Sequence, residues 1–220
     1  MDGRVIRPEK LERLGPREAK GNLRDLVRLN RWLGGHRILS RLLGEFYGRR
    51  EAFTLLDVGA ASGDFGRAIG RRFPRAVVTS LDLRLHHLDG ASTPRLVADA
   101  WRLPFPRQAF DVVFCSLLLH HFPNPEAADL LRRLAGIARR ALIVLDLERH
   151  RLPYWFLPLT RQLFRWDPVT VHDGCLSVAA GFQTEELARL ARDAGLEGAV
   201  VRRHRPWFRM SLVSRFSEEP

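Results

Sequence analysis

The chain has 220 residues, 45% of them hydrophobic, and 36 lysines and arginines against 25 acidic residues give a formal net charge of +11. That length suits one domain with an ample core and leaves little room for a second domain. The positive charge is almost entirely arginine, scattered in singles and pairs, which favours solvated faces over a nucleic-acid surface; a polyanion-binding surface is the alternative.

The cysteines and the N-terminus indicate the compartment. Cys115 and Cys175 form no C-x-x-C pair, so we expect a reducing environment and no metal site. Residues 1–10 lack the apolar centre of a signal peptide, and no apolar run approaches the roughly 18 to 20 residues of a membrane-spanning helix. These features predict a cytoplasmic protein without a membrane span.

The N-terminal region divides into a tail and a helical segment. Residues 1–21 are polar and broken by proline and glycine, which predicts a flexible tail, and we place a single domain over residues 22–220. Within it, residues 22–48 show helical spacing of apolar residues, interrupted at Gly34 and Gly35. We expect two helices that either cap a ligand site, with Trp32 in contact with substrate, or simply pack on the sheet edge.

The segment from Phe53 to Phe73 predicts a strand, a glycine turn and a helix. Such a turn lets backbone approach a ligand, and the free amides of the helix start favour an anionic or carboxylate group. The dinucleotide fingerprint G-x-G-x-x-G fails here at Ala61 and Asp64. A turn that merely links strand and helix is the alternative.

The same stretch resembles motif I of the class I S-adenosylmethionine (SAM)-dependent methyltransferases, with Ala61 as its one departure. The resemblance implies an α/β, Rossmann-like fold whose seven-stranded, mostly parallel sheet ends in a C-terminal antiparallel hairpin. It implies SAM as cofactor and S-adenosylhomocysteine (SAH) as product. It assigns Asp57 to the cofactor site and seats the methionine end of the cofactor on three residues: Gly59, Ala60 and Gly63.

The next two strands carry acidic residues at their ends. Ala76 to Leu81 predicts a strand ending in Asp82 and followed by Leu83. By resemblance, Asp82 accepts hydrogen bonds from the ribose hydroxyls, and Leu83 beside it also binds the cofactor; a strand-end cap is the alternative for Asp82. After a short third strand, Leu96 to Ala98, the resemblance assigns the adenine ring to three residues: Asp99, Ala100 and Trp101.

The fourth strand is predicted over Phe110 to Ser116, where the resemblance is most specific. The backbone of Ser116 would face the sulfonium, and His120 and His121 in the following loop would lie near the methyl group as candidate bases. Their alternative role is to pack the start of the next helix. That helix should begin with Asn124 as N-cap and end near Ala138, before a fifth strand from Ala141 to Leu147.

Residues 149–182 form an insertion rich in aromatic residues and prolines, which we interpret as a substrate lid. Tyr154, Trp155 and Phe164 are its candidate substrate contacts, and His172, beside Asp173 in a predicted tight turn at Gly174, is a third candidate base. The arginines around the aromatic residues leave a membrane-surface role as the alternative.

A helix capped by Thr184 and two strands, over residues 197–204 and 208–216, complete the expected fold. Together these features predict a SAM-dependent methyltransferase acting on a small, apolar or aromatic acceptor, with small molecules rather than nucleic acid as partners. An RNA methyltransferase and a non-catalytic SAM-binding protein are the alternatives. Neither the acceptor atom nor the oligomeric state follows from these residues.

Overall fold

A computed structural model describes residues 3–216 and contains one seven-stranded sheet in the order β3-β2-β1-β4-β5-β7-β6. The first five strands are parallel, β7 is antiparallel to β5, and β6 is antiparallel to β7, which confirms the predicted fold class. The strands are β1 (Phe53–Val58), β2 (Ala76–Asp82), β3 (Arg95–Val97), β4 (Phe110–Ser116), β5 (Ala138–Leu147), β6 (Val200–His204) and β7 (Arg209–Arg215).

Helices cover both faces of the sheet. They are α1 (Pro16–Trp32), α2 (Gly35–Leu43), α3 (Asp64–Arg72), α4 (Asn124–Ile137), α5 (Arg151–Phe164), α6 (Pro168–Ala180) and α7 (Thr184–Asp193). Successive strand residues point to opposite faces, so β1 places Leu56 in the core shared with α4 and α7 and Leu55 in the core shared with α2 and α3. None of the described helices is long and apolar enough to cross a membrane.

Two predicted helix caps are wrong by one residue. Pro123 is the N-cap of α4, so Asn124 is already helical. Gln183, rather than Thr184, caps α7, because Glu186 accepts a hydrogen bond from the Gln183 amide at 2.8 Å and closes a capping box. The strands β5 and β6 also begin three residues away from the positions that we expected.

The N-terminal segment differs from the flexible tail predicted for residues 1–21. Over its described part, α1 already begins at Pro16, and Arg4 donates to the backbone oxygens of Ala180 (2.7 Å), His120 (3.1 Å) and Phe122 (3.1 Å). Backbone acceptors on distant segments leave no trace in the local sequence, so the prediction missed this attachment. Residues 1, 2 and 217–220 lie outside the described part of the chain.

The predicted lid, residues 149–182, consists chiefly of the two helices α5 and α6, which pack on each other. The Asp167 carboxylate caps α6 by accepting from the Val169 amide at 2.9 Å. The Asp167 amide in turn donates to the buried carboxylate of Asp25 in α1 at 2.7 Å. The insertion is therefore fixed to the N-terminal helix.

Candidate functional site

The turn after β1 has the left-handed backbone that its glycines suggested. Gly59, Ala61 and Gly63 have φ angles of 72°, 45° and 60°. At Ala61 this conformation costs about 1–2 kcal/mol, because a Cβ crowds the backbone there. The amides of Gly59 and Ala60 both donate to the Leu81 oxygen at 2.9 Å, which joins the turn to the end of β2. The first amides of α3 follow directly and favour a negatively charged group.

Asp82 closes this turn from the neighbouring strand. Its Oδ2 accepts from the Ala61 amide at 3.0 Å, and its Oδ1 accepts from the Arg84 amide at 3.1 Å and contacts His87 Nδ1 at 3.0 Å. Burial alone would raise the pKa of Asp82, but the hydrogen bonds from His87, Arg84 and Ala61 lower it, so the group is a carboxylate at neutral pH. A carboxylate accepts about four hydrogen bonds, and three are in use, which leaves capacity for a ligand hydroxyl.

Two polar groups lie without a partner where β1 and β4 end. Asp57 Oδ2 and Ser116 Oγ are buried and have no hydrogen-bond partner among the described residues. Burial raises the pKa of Asp57 well above its ordinary value, and the nearby charges of Asp64 and Asp82 act in the same direction. Strand register pairs Val58 with Cys115, so Ser116 lies beside Gly59 at the carboxyl edge of the sheet.

The predicted adenine residues occupy the connection after β3. Asp99 Oδ1 accepts from the Trp101 amide at 2.9 Å. The Trp101 ring packs edge-on against Phe122 at 5.3 Å between centroids, and Ala100 and Trp101 line a surface groove beside α4. Leu83 is 64% exposed, so its side chain is free to cover a ligand.

The structure argues against His120 as a base. Its Nδ1 lies 2.7 Å from Asp146 Oδ1 and its Nε2 lies 3.5 Å from Glu9 Oε1. Burial by itself would lower the pKa of His120, but the charge and hydrogen bond of Asp146, together with Glu9, raise it to about 10. The imidazole therefore carries its proton at neutral pH and cannot accept another.

His121 lies on the same short turn. Its ring stacks on that of His120 at 4.4 Å, and its Nδ1 contacts Glu12 Oε1 at 3.1 Å. The ligand atoms of Glu9, His120 and His121 lie within 4.8 Å of one another, a spacing that suits a metal ion. Because both nitrogens of His120 already face carboxylates, the arrangement is that of a charge-paired imidazolium, and the N-terminal segment supplies one of its anions.

His172 lies in the middle of α6. We had expected a tight turn there. Its Nδ1 lies 2.8 Å from Asp173 Oδ1, and the Asp173 carboxylate accepts from the amides of Lys10 (3.0 Å) and Leu11 (2.9 Å). Gly174 is helical, and its α-carbon faces Leu157 of α5. The His172–Asp173 pair therefore helps to hold the N-terminal segment.

Two of the four predicted substrate residues meet in one aromatic cluster. The Trp32 ring lies 5.7 Å from Phe164 and 6.0 Å from Trp166, a residue that sequence reasoning did not assign to the site. Tyr154 and Trp155 contact each other rather than this cluster. Trp155 is 54% exposed, on the same outward side of α5 as three other exposed residues: Leu152, Leu159 and Leu163.

Sequence reasoning missed the buried polar group beneath α1. Arg209, at the start of β7, is 2% exposed, and its Nη2 donates to Asn30 Oδ1 at 3.0 Å. Asn30 donates onward to Asp64 Oδ2 at 3.2 Å, where His36 Nε2 also lies at 2.6 Å. Burial lowers the pKa of Arg209 to about 10, against the opposing charges of Asp146 and Asp64. No local pattern distinguishes Arg209 from the chain's many other arginines.

The strand order, the antiparallel last strand and the left-handed turn tied to the acid that ends β2 give the Rossmann-like fold that the resemblance predicted. In agreement, a protein-family model described as a methyltransferase domain matches residues 55–140.

Curated relatives are similar over part of the chain. The ubiquinone/menaquinone biosynthesis C-methyltransferase UbiE of Burkholderia vietnamiensis is 34% identical over 106 residues, which are 43% of this chain and 44% of that protein. Pluviatolide O-methyltransferase of Sinopodophyllum hexandrum is 34% identical over 99 residues, which are 43% of this chain and 26% of that protein. Both matches thus span less than half of the relative's own length.

Solved structures share the fold at low identity. A SAM-dependent methyltransferase from Aquifex aeolicus superposes with a TM-score of 0.63 at 16% identity, covering 93% of this chain and 100% of that one. Magnesium protoporphyrin IX methyltransferase from Synechocystis, crystallised with SAH, superposes with a TM-score of 0.58 at 16% identity, covering 84% and 83%.

The residues at this edge of the sheet fit SAM. The left-handed turn exposes backbone rather than side chains, the Asp82 carboxylate retains acceptor capacity, and Ser116 Oγ has no partner among the residues that the structure describes. The Leu118 side chain also lies over Gly59, since a Cβ added there would approach it to 3.5 Å. Leu118 would therefore contact a ligand seated on the turn.

Proposed function

We propose that this protein transfers a methyl group from SAM to a small acceptor that carries an apolar or aromatic surface. The observation that carries the proposal is the Asp82–Ala61 hydrogen bond, which fixes an ionised acid against a left-handed turn at the carboxyl edge of β1 and β2. Ligands of open parallel sheets bind at this edge, where the strand order reverses.

The cofactor residues have distinct tasks in this proposal. Gly59, Ala60 and Gly63, with Asp57 beneath them, form the floor under the methionine end. Asp82 accepts a hydrogen bond from a ribose hydroxyl, Leu83 covers the sugar, and the backbone of Ser116 faces the sulfonium. The adenine lies against the segment 99–101, where the carboxylate of Asp99 accepts from its amino group. The bound cofactor supplies an electrophilic methyl group.

The acceptor site lies under α1 and the 149–182 insertion. We assign it to Trp32 and Phe164, extended by Trp166, because these rings form one cluster between the two segments. Tyr154 and Trp155 belong to the same insertion but contact each other instead of the cluster, and Trp155 faces outward, which makes them weaker candidates. Planar rings pack well against flat apolar acceptors and exclude water from them.

A base is not required of the histidines. His120 is held protonated, and His121 and His172 each face a neighbouring carboxylate. Most of the rate acceleration then comes from holding the acceptor in line with the methyl group in a site from which water is excluded. Because both reactants are already bound in this orientation, the methyl-transfer step does not bear the entropy cost of bringing them together.

The test has a binding step and a transfer step. Titration calorimetry should show that SAH binds the purified protein, and incubation with methyl-labelled SAM and a small-molecule extract should label an extractable product, which mass spectrometry then identifies. Label in RNA instead would favour the RNA methyltransferase. Tight SAH binding with no label in either fraction would favour the non-catalytic alternative, and absence of SAH binding would contradict the proposal.

A further inference from the structure

The described residues leave two of the three nitrogens of the Arg209 guanidinium without a hydrogen-bond partner. The residue is 2% exposed, and its Nε and Nη1 have no hydrogen-bond partner among the described residues. Leaving a buried donor of a charged group unpaired costs more than a typical hydrogen bond contributes. A ligand atom that accepts from these donors would remove this cost.

The position of Arg209 separates it from the nucleoside end of the site. In the antiparallel register of β5 and β7, Arg209 pairs with Leu147, the last residue of β5. It therefore lies at the carboxyl edge of the sheet beyond β4, whereas Asp82 ends β2 and Asp99 follows β3, on the opposite side of β1. In the proposed function, this side of the crevice belongs to the acceptor.

The guanidinium is held in a fixed orientation. Asn30 of α1 accepts from Nη2 at 3.0 Å and is itself held by Asp64. The nearby carboxylates have cationic or imidazole partners of their own, since Asp146 contacts His120 at 2.7 Å and Asp64 contacts His36 at 2.6 Å. Neither Asp64 nor Asp146 occupies the Nε and Nη1 donors.

We propose that the guanidinium of Arg209, with its unpaired donors Nε and Nη1, forms an oxyanion-binding subsite that takes the ionised hydroxyl or carboxyl oxygen of the methyl acceptor. Nη2 has a second N–H besides the one that Asn30 accepts, and this N–H completes a planar fork with either Nε or Nη1 toward one such oxygen group. An acidic hydroxyl releases its proton to solvent before it is enclosed, and the site binds the resulting anion beside the methyl group. This inference rests on the proposed function and explains how the site activates an acceptor although His120 holds its proton.

The test uses 4-nitrophenol as the probe, since its phenolate absorbs visible light and its phenol does not. In the SAH-saturated protein, bound probe should ionise at a pH lower than that of free probe, by about one unit or more. Arg209→Met should abolish this shift and weaken binding of the probe at least tenfold, whereas Arg209→Lys, which keeps the charge without the fork, should restore part of it. Far-ultraviolet circular dichroism shows whether each variant is folded.

Two controls separate this subsite from its alternatives. Arg205→Gln removes an exposed arginine from the β6–β7 connection and should leave probe binding unchanged. SAH affinity, measured by calorimetry, should change less than threefold in the folded Arg209 variants. If Arg209→Lys loses SAH binding but keeps the probe shift, the guanidinium serves the cofactor's carboxylate and the inference is wrong. It is equally wrong if wild-type protein that binds SAH leaves the probe's ionisation unchanged, whereas failure of SAH binding itself would contradict the proposed function.

Discussion

The carboxylate of Asp82 accepts a hydrogen bond from the amide of Ala61 at 3.0 Å, so the acid at the end of β2 fixes the turn that follows β1. This contact joins two segments that the sequence separates by a whole helix. It also means that one side chain both shapes the turn and faces the ligand proposed to lie on it. Substitutions at Asp82 and Ala61 can therefore distinguish an effect on the shape of the turn from an effect on ligand binding.

Replacement of Asp82 by asparagine should weaken SAH binding at least tenfold, because the amide removes the negative charge and one of the acceptor oxygens. Calorimetry on the folded variant measures the change. His87→Ala is the matched control, since it removes a contact to Oδ1 but keeps the carboxylate and its Ala61 bond. Unchanged SAH affinity in Asp82→Asn would reject the ribose assignment.

Replacement of Ala61 by glycine should raise the free energy of unfolding by about 0.5–1 kcal/mol. Glycine relieves the left-handed strain at φ 45°, and this gain exceeds the greater freedom of glycine in the unfolded chain. Urea denaturation measures the difference. Ala60→Gly, at a residue without positive φ, should change stability in the opposite direction. A destabilised Ala61→Gly variant would show that the methyl group contributes packing that outweighs the strain.

The His120 ion pair should make stability depend on alkaline pH. The folded pKa of about 10 lies above the ordinary value of 6.5, so the contribution is complete below pH 6.5 and is lost as the pH rises through 10. Relative to His120→Gln, the wild-type unfolding free energy should fall by up to about 1.4 kcal/mol per pH unit between pH 7 and 9.5. Urea titrations at several pH values test this, and parallel curves would contradict it.

Removal of the Arg4 side chain should detach the N-terminal segment. Arg4→Ala leaves three backbone oxygens without their charged donor, at a cost of about 2 kcal/mol or more. Limited proteolysis should then cut within residues 5–13 faster than in wild type. The exposed Arg7 provides the control, because Arg7→Ala should keep the wild-type cleavage rate. Equal cleavage of all three proteins would show that Arg4 does not anchor the segment.

The aromatic cluster should govern affinity for the acceptor. Once an acceptor is identified, Trp32→Ala should raise its KM about tenfold, since a ring that packs on an apolar surface contributes roughly 1.5–3 kcal/mol. SAH affinity should stay unchanged. Trp155→Ala removes a ring of the same size from the outward side of α5 and should leave KM near the wild-type value. If the two variants behave alike, the acceptor does not bind at the Trp32 cluster.

The local sequence pattern was enough to predict the strands of the sheet and the turn after β1. Apolar runs such as the one from Phe53 to Val58 are long enough to specify buried strands, and the glycines at 59 and 63 occupy positions where φ is positive. The strand-end acid Asp82 followed from the same reasoning. These features are encoded within a few residues, so the sequence by itself determined the fold class and one side of the proposed cofactor site.

Only the tertiary structure decided the roles of the charged groups. His120 is a candidate base in its own loop, but Asp146 from β5 and Glu9 from the N-terminal segment make it an imidazolium. Arg209 becomes distinctive only once Asn30 orients it in the interior. The protonation and hydrogen-bonding state of a buried group is set by neighbours far away in the chain and by loss of water, and neither is visible in the residues beside it.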